Sequence, residues 1–192
     1  VLQQPPPLIV DAGPDQVINL GESVTLEGSI QEALSPAEPM WIAPLGECVT
    51  DPLSCYNCLT PLATPLVSDT FYLSATDLDG CSDMDTVFVE VVPVRPVYIP
   101  NAFSPNGDGI NDYFTAFGGA VATSIVKFQV YSRWGDLLFQ TGSIPLNNEK
   151  LGWDGRAADG RPLKPGVYAY VIEIAFLDCT TGVYYGDVVL VR

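Results

Sequence analysis

The 192-residue sequence predicts an all-β protein made of two tandem Ig-like β-sandwiches. Three observations carry that expectation. No apolar period of 3.6 persists over a helical window, whereas several stretches alternate apolar and polar residues as half-buried strands do. Seventeen glycines and seventeen prolines punctuate a composition that is 47% hydrophobic and only 16% charged. Charge then divides the chain: residues 1–94 hold 14 acidic and no basic residues, while residues 95–192 hold 9 acidic and 8 basic ones. The net charge of −15 is therefore −14 on the first half and −1 on the second. Two domains of roughly 95 residues each can bury self-sufficient cores.

Residues 1–7, from "VLQQPPPL", read as a proline-stiffened linker. The first sandwich is expected over residues 8–93. After a turn at Gly21, Val24 and Leu26 alternate as on a strand, and a second strand is expected around "PMWIA". Residues 43–66 are rich in Pro and Cys, carry no period, and read as a long loop fastened by disulfides. Phe71, Leu73 and Ala75, then Val87, Val89 and Val91, alternate on either side of the turn "DLDGCSDMD", which makes a hairpin. "PVRP" marks the boundary, with residues 94–96 as linker, because proline cannot donate to a ladder and the charge balance changes there. The second sandwich, residues 97–192, shows "IVKFQVYS", "DLLFQTG", "VYAYVIEIAFL" and "VYYGDVVLV" as strands. The third of these is apolar on both faces, which predicts a central strand buried on both sides.

The acidic first half disfavours nucleic acid and anionic membrane surfaces by repulsion. No basic-then-apolar leader and no apolar run of 18 residues is present, so direct membrane insertion is not expected, and an exported chain of this kind would be a mature piece of something longer. Cys48, Cys55, Cys58 and Cys81 lie within 34 residues of one another. In a chain without histidine their spacing lacks the second close pair of a zinc ribbon, so they are disulfide candidates and point to an oxidising compartment. Four cysteines allow three connectivities, and the sequence does not choose among them. Cys179 is left over and reads as a buried free thiol.

The same absence of histidine removes the usual nucleophilic triads, and no carboxylate pair has a local signature, so no enzyme is expected. "FSPNGDGIND", residues 103–112, holds the most specialised chemistry. On the calcium-loop template Ser104, Asn106 and Asp108 take positions one, three and five, Gly109 six and Asp112 nine, but Thr115 stands where a bidentate Glu belongs. A weak calcium site at Asn106, Asp108, Asn111 and Asp112 is one reading. The physically stronger one is a rigid turn in which Asn106, Gly107, Gly109 and Asn111 tolerate positive φ and both aspartates accept backbone N–H groups. In "WDGRAADGRPLKPGVYAY" Trp153 is expected to cover one end of the core, and Arg156 and Arg161 to be solvated.

"VYIPNAFSPNGDGINDYF", "VYSRWGDLLFQT", "GWDGRAADGRPLKPGVYAYVI" and "YYGDVVLVR" together resemble the gliding-motility-associated C-terminal domain, the type B sorting domain of type IX secretion. The resemblance covers residues 97–192. "DAGPDQVINLGESVTL" and "FYLSATDLDGCSDMDTVFVEV" resemble a PKD-like spacer domain over residues 8–93. The resemblance implies a signal module of a large exported protein, with the type IX machinery and an outer-membrane receptor of the PorP or SprF type as partners, and a location at the cell surface. Within it, the expected recognition elements are Phe103, Ser104, Pro105, Asn106, Gly107, Asp108, Gly109 and Asp112, with Phe103 and Phe114 as anchors, and the last strand ending at Arg192, whose backbone would pair with a receptor edge. The competing reading is an extracellular adhesion or ligand-binding sandwich pair, stiffened by Ca²⁺, with Trp41, Tyr56 and Phe71 as candidate surface aromatics.

Overall fold

The computed structural model describes residues 7–33, 35–44, 48 and 51–192. Residues 1–6 of the lead-in, and 45–47, 49 and 50 of the long loop, lie outside that set. The chain divides into two compact units, Val1–Val94 and Arg95–Arg192.

In the first unit the strands are β1 (Ile9–Asp11), β2 (Gln16–Asn19), β3 (Val24–Thr25), β4 (Ser29–Gln31), β5 (Ala37–Ile42), β6 (Leu62–Ala63), β7 (Asp69–Asp77) and β8 (Ser82–Val92). They form a four-stranded sheet in the order β2-β8-β7-β5, with β2 parallel to β8, and two ribbons, β1–β4 and β3–β6. The predicted hairpin is β7–β8, and its alternating residues Phe71, Leu73, Ala75, Val87, Val89 and Val91 are buried. Val10, Ala12, Leu26 and Ala63 from the opposite layer complete the core. β1 is held beside the hairpin by carboxylates rather than by a ladder: Asp83 accepts from the Val10 amide at 2.8 Å and Asp85 from the Ala12 amide at 2.9 Å.

Trp41 is fully buried, and its indole N–H donates to the Cys58 carbonyl at 2.9 Å, which ties the long loop to the sheet. Phe71 is buried too, and Tyr56 is half-buried with its hydroxyl on Asp51, so these three rings form no exposed binding face. That loop also contributes β6, which a two-residue apolar signal could not announce. Cys55 and Cys58 are disulfide-bonded to each other, and Cys48 is also disulfide-bonded. Cys81 departs from the expectation: it is a free, exposed thiol. It sits at the tip of the β7–β8 hairpin, where the Asp77 carboxylate accepts its amide at 2.9 Å and fixes it in the turn.

The second unit contains β9 (Val97–Tyr98), β10 (Ala102–Phe103), β11 (Phe117–Gly118), β12 (Ala122–Tyr131), β13 (Leu137–Thr141), β14 (Ile144–Pro145), β15 (Gly166–Phe176) and β16 (Thr181–Leu190). A 3-10 turn at Glu149–Leu151 is the one helical segment among the described residues. The main sheet runs β10-β16-β15-β12-β13, with β14 also on β12, and β9 and β11 make a separate ribbon. β10 joins β16 in parallel, placing the start of this unit beside the last strand.

β15 is central, but it is buried on one face only. Ile172, Ile174 and Phe176 enter the core, while the other face is half-buried at Ala169, Val171, Glu173 and Ala175 and exposed at Val167, which is 57% accessible. Valine and alanine on such a face reflect β propensity as much as burial, which is why the sequence overstates the second layer. Cys179 is neither buried nor a free thiol: it lies exposed in the β15–β16 turn at φ 57°, and its sulfur is disulfide-bonded. Beside that turn Asp178 forms an ion pair with Arg95, whose guanidinium also lies 5.2 Å from the Phe176 ring centre.

Candidate functional site

The 104–112 segment connects β10 to the core residue Phe114. Phe103 and Phe114 are both buried with ring centres 5.9 Å apart, and Phe103 lies 5.2 Å from the Trp153 ring. Trp153 is itself buried, donates its indole N–H to the Arg156 carbonyl at 2.7 Å, and exchanges two 2.8 Å backbone bonds with Phe114. The loop therefore leaves and re-enters the core at two aromatic anchors, which fixes its ends.

Between the anchors the loop satisfies its own polar groups. Asp112 accepts from the Gly107 amide at 2.7 Å through one oxygen and from the Gly109 amide at 2.8 Å through the other. Asp108 accepts from the Ile110 amide and from the Asn106 side chain, both at 2.8 Å, while Asn106 accepts from the Asp108 amide at 3.0 Å. The Ser104 amide donates to the Asn111 carbonyl at 2.8 Å and closes the base. Gly107 and Gly109 take φ of 81° and 85°, and Asn111 takes 54°, so the residue types at these positions follow from the turn. The Asp108 carboxyl is held below the usual aspartate range, first by the Asn106 side chain and then by the Ile110 amide.

A hard cation wants six to eight oxygens around it. Here the aspartate oxygens converge on N–H donors, and among the described residues no three His, Cys, Asp or Glu side chains gather. The segment is built as a nest for its own carboxylates.

One face of the loop borders a cleft of about 470 Å³, where Pro105, Asn106, Gly107 and Asp112 meet Tyr113, Asp154, Arg156 and Arg192. Arg156 is poised there by Asp154, at 3.3 Å, and by the Gly160 carbonyl, at 3.0 Å. Gly155 lets these elements close up: at φ 75°, a Cβ there would stand 3.0 Å from Leu190 and 3.1 Å from Pro105. Arg192 thus reaches the cleft beside the loop. The backbone leading to it is not free, because β16 is flanked by β15 on one side and by β10 at Val189 and Leu190 on the other, and the Val191 amide donates to Phe103 at 3.0 Å. The end of the strand, expected as a receptor-pairing edge, is thus already paired at Val189 and Leu190, and among the described residues the open stretch on that side of β16 runs from Thr181 to Val188. Arg156 is solvated, as the sequence predicts, and the Asp-Gly-Arg turn was the signal that could have placed it beside the loop.

The cleft thus sits on an all-β unit. Residues 97–186 match the CHU_C type IX secretion signal domain. Over residues 97–186 the second unit is thus a type IX secretion signal domain. No curated protein matches the chain in sequence. Among solved structures, the two-domain DIP-gamma IG1+IG2 aligns with 97% of this chain and 98% of its own at 10% identity and TM-score 0.38. Dimeric latent PorU from Porphyromonas gingivalis aligns with 93% of this chain and 19% of its own at 12% identity and TM-score 0.36. PorZ from the same organism, described as an essential surface component of its type IX secretion system, aligns with 63% of this chain and 15% of its own at 19% identity and TM-score 0.31.

Proposed function

We propose that residues 97–192 direct a longer protein through the type IX system and then hold it at the cell surface by docking an outer-membrane receptor of the PorP or SprF type, with residues 8–93 acting as a PKD-like spacer. The observation that carries this reading is the family match of residues 97–186, joined to the convergence of the loop, Arg156 and Arg192 on one cleft. A preorganised loop costs little entropy on docking, and its anchors lie on the rigid sheet. The folded sandwich is what the receptor reads, and the cleft supplies the polar contacts. No catalytic step is assigned to the chain.

The test is a fluorescent reporter fused behind a signal peptide to the full 192-residue chain, followed in cells with and without a working type IX system. Surface delivery is expected only in the first strain. Arg156→Gln and Asp112→Asn, checked for folding by circular dichroism, are expected to lower delivery or surface retention. Delivery without the system, or periplasmic reporter in both strains, overturns the sorting function. Full delivery and retention of both variants overturns the role of the cleft.

A further inference from the structure

A second concave surface on the second unit adjoins the loop cleft at Pro162, which lines both. It is an open groove of about 1430 Å³ between the β12–β13 turn and the turn that leads into β15, and Arg133, Trp134, Arg161, Lys164, Tyr168 and Asp187 all line it. Trp134 is 81% exposed. The exposure is not that of a loose loop. Ser132 and Asp136 close the turn under the ring: the Ser132 amide donates to the Asp136 carbonyl at 2.8 Å, the Ser132 hydroxyl donates to the Asp136 carboxylate at 2.9 Å, and the Trp134 amide donates to that hydroxyl at 3.1 Å. Gly135 at φ 89° completes it. An indole kept in water on a fixed turn has a hydration cost that a ligand would relieve.

The charge of the groove is opposite to that of the chain. Three of the eight basic residues line it, against one acidic residue, in a protein of net charge −15. The Arg133 guanidinium stands 5.3 Å from the Trp134 ring centre, and the Tyr168 hydroxyl donates to the Lys164 carbonyl at 2.7 Å, holding that turn at the rim. Arg161 is shared with Asp159 at 3.7 Å, an exposed pair that a ligand carboxylate can displace.

We propose that this groove binds acidic oligosaccharides, with a pyranose ring stacked on Trp134 and its carboxylate paired with Arg133, Arg161 or Lys164. A sugar presents a C–H face to an aromatic ring and hydroxyls to polar groups at its edge, which suits an exposed platform. A peptide anchor instead wants a recessed, desolvated pocket or a free strand edge. On the β16 side of β15 the backbone under the groove is taken, since Val167 and Ala169 are paired with Val189 and Asp187. Guanidinium–carboxylate pairs give the site its preference for charged sugars. The proposal holds whether or not the sorting reading does.

The test uses the full chain and a panel of tetrasaccharides from polygalacturonate, alginate and hyaluronan, each with its methyl-esterified counterpart. Trp41 and Trp153 are buried, so a ligand-induced blue shift of tryptophan emission reports Trp134. Saturable binding of at least one acidic member is expected, and isothermal titration calorimetry, which needs no indole, should find it weakened about tenfold or more by Trp134→Ala, by Arg161→Gln with Lys164→Gln, and by esterification, and falling with salt. The substitutions are on the surface, and circular dichroism checks that they fold. No saturable shift with any member, equal affinity for ester and acid, or unchanged binding by Trp134→Ala overturns the proposal.

Discussion

Replacing Asp112 by Ala removes both acceptors of the Gly107 and Gly109 amides, at 2.7 and 2.8 Å. Hydrogen bonds to a charged acceptor are worth about 1.5–3 kcal/mol when sheltered, and side-chain caps on backbone amides about 0.5–2 kcal/mol. Both glycines are exposed, so water recaptures their N–H groups when the carboxylate goes, and the lower range applies. The loss should be about 1–2 kcal/mol, and about half of that for Asp112→Asn, which keeps one oxygen acceptor. Urea unfolding of the second unit reads the total, and amide hydrogen exchange at Gly107 and Gly109 reads the mechanism. Both amides should exchange faster in Asp112→Ala, with core amides of β15 moving only by the global change. Calcium separates the competing account: a site with a Kd of 100 µM would gain about 2.7 kcal/mol at 10 mM calcium. No stabilisation is expected. Unchanged exchange at the two glycines, or a calcium gain of that size, would refute the nest.

Gly155→Ala places a methyl 3.0 Å from Leu190 and 3.1 Å from Pro105 at φ 75°, and should cost about 1–2 kcal/mol or more in thermal unfolding while displacing the loop from the last strand. Thr115 is buried with its hydroxyl unpartnered, so Thr115→Val should raise stability by about 1 kcal/mol in the same assay. The carboxyl of Asp108 is depressed in the folded state, so its contribution is present above the unfolded value of about 3.9 and is lost as pH falls through the lower folded value; a carbon-detected NMR titration should find its midpoint below that of an ordinary aspartate. Cys81 should take one equivalent of a thiol reagent in the native protein, with Cys55 and Cys58 reacting only after reduction.

Long strands were legible because their alternation is a one-dimensional record of a two-sided surface. Phe71, Leu73 and Ala75 face the core because the pleat sends every second side chain to one side. Two-residue strands such as β6 and β10 left no such record, since a pair of residues has no period; they exist because a neighbour's backbone is open beside them. The turn chemistry of the 103–112 segment was equally readable: Gly and Asn mark positive φ, and aspartates near them cap amides. How many faces of β15 are buried was not readable, because a run of Val, Ala and Tyr fits a strand whether one layer covers it or two.

The sequence by itself determined the all-β class, the division near residue 94, the hairpin at 69–92 and the self-capped loop, because each depends on neighbours close along the chain. It carried as well the order of motifs that marks residues 97–186 as a secretion signal domain. Tertiary structure alone decided which groups meet across long separations. It brought Arg156 and Arg192 to the loop, put Trp41 in the core, left Cys81 as a free thiol, and set Trp134 on a rigid turn above a basic groove. Those outcomes depend on strand order and on the approach allowed at Gly155, and packing in three dimensions fixes both.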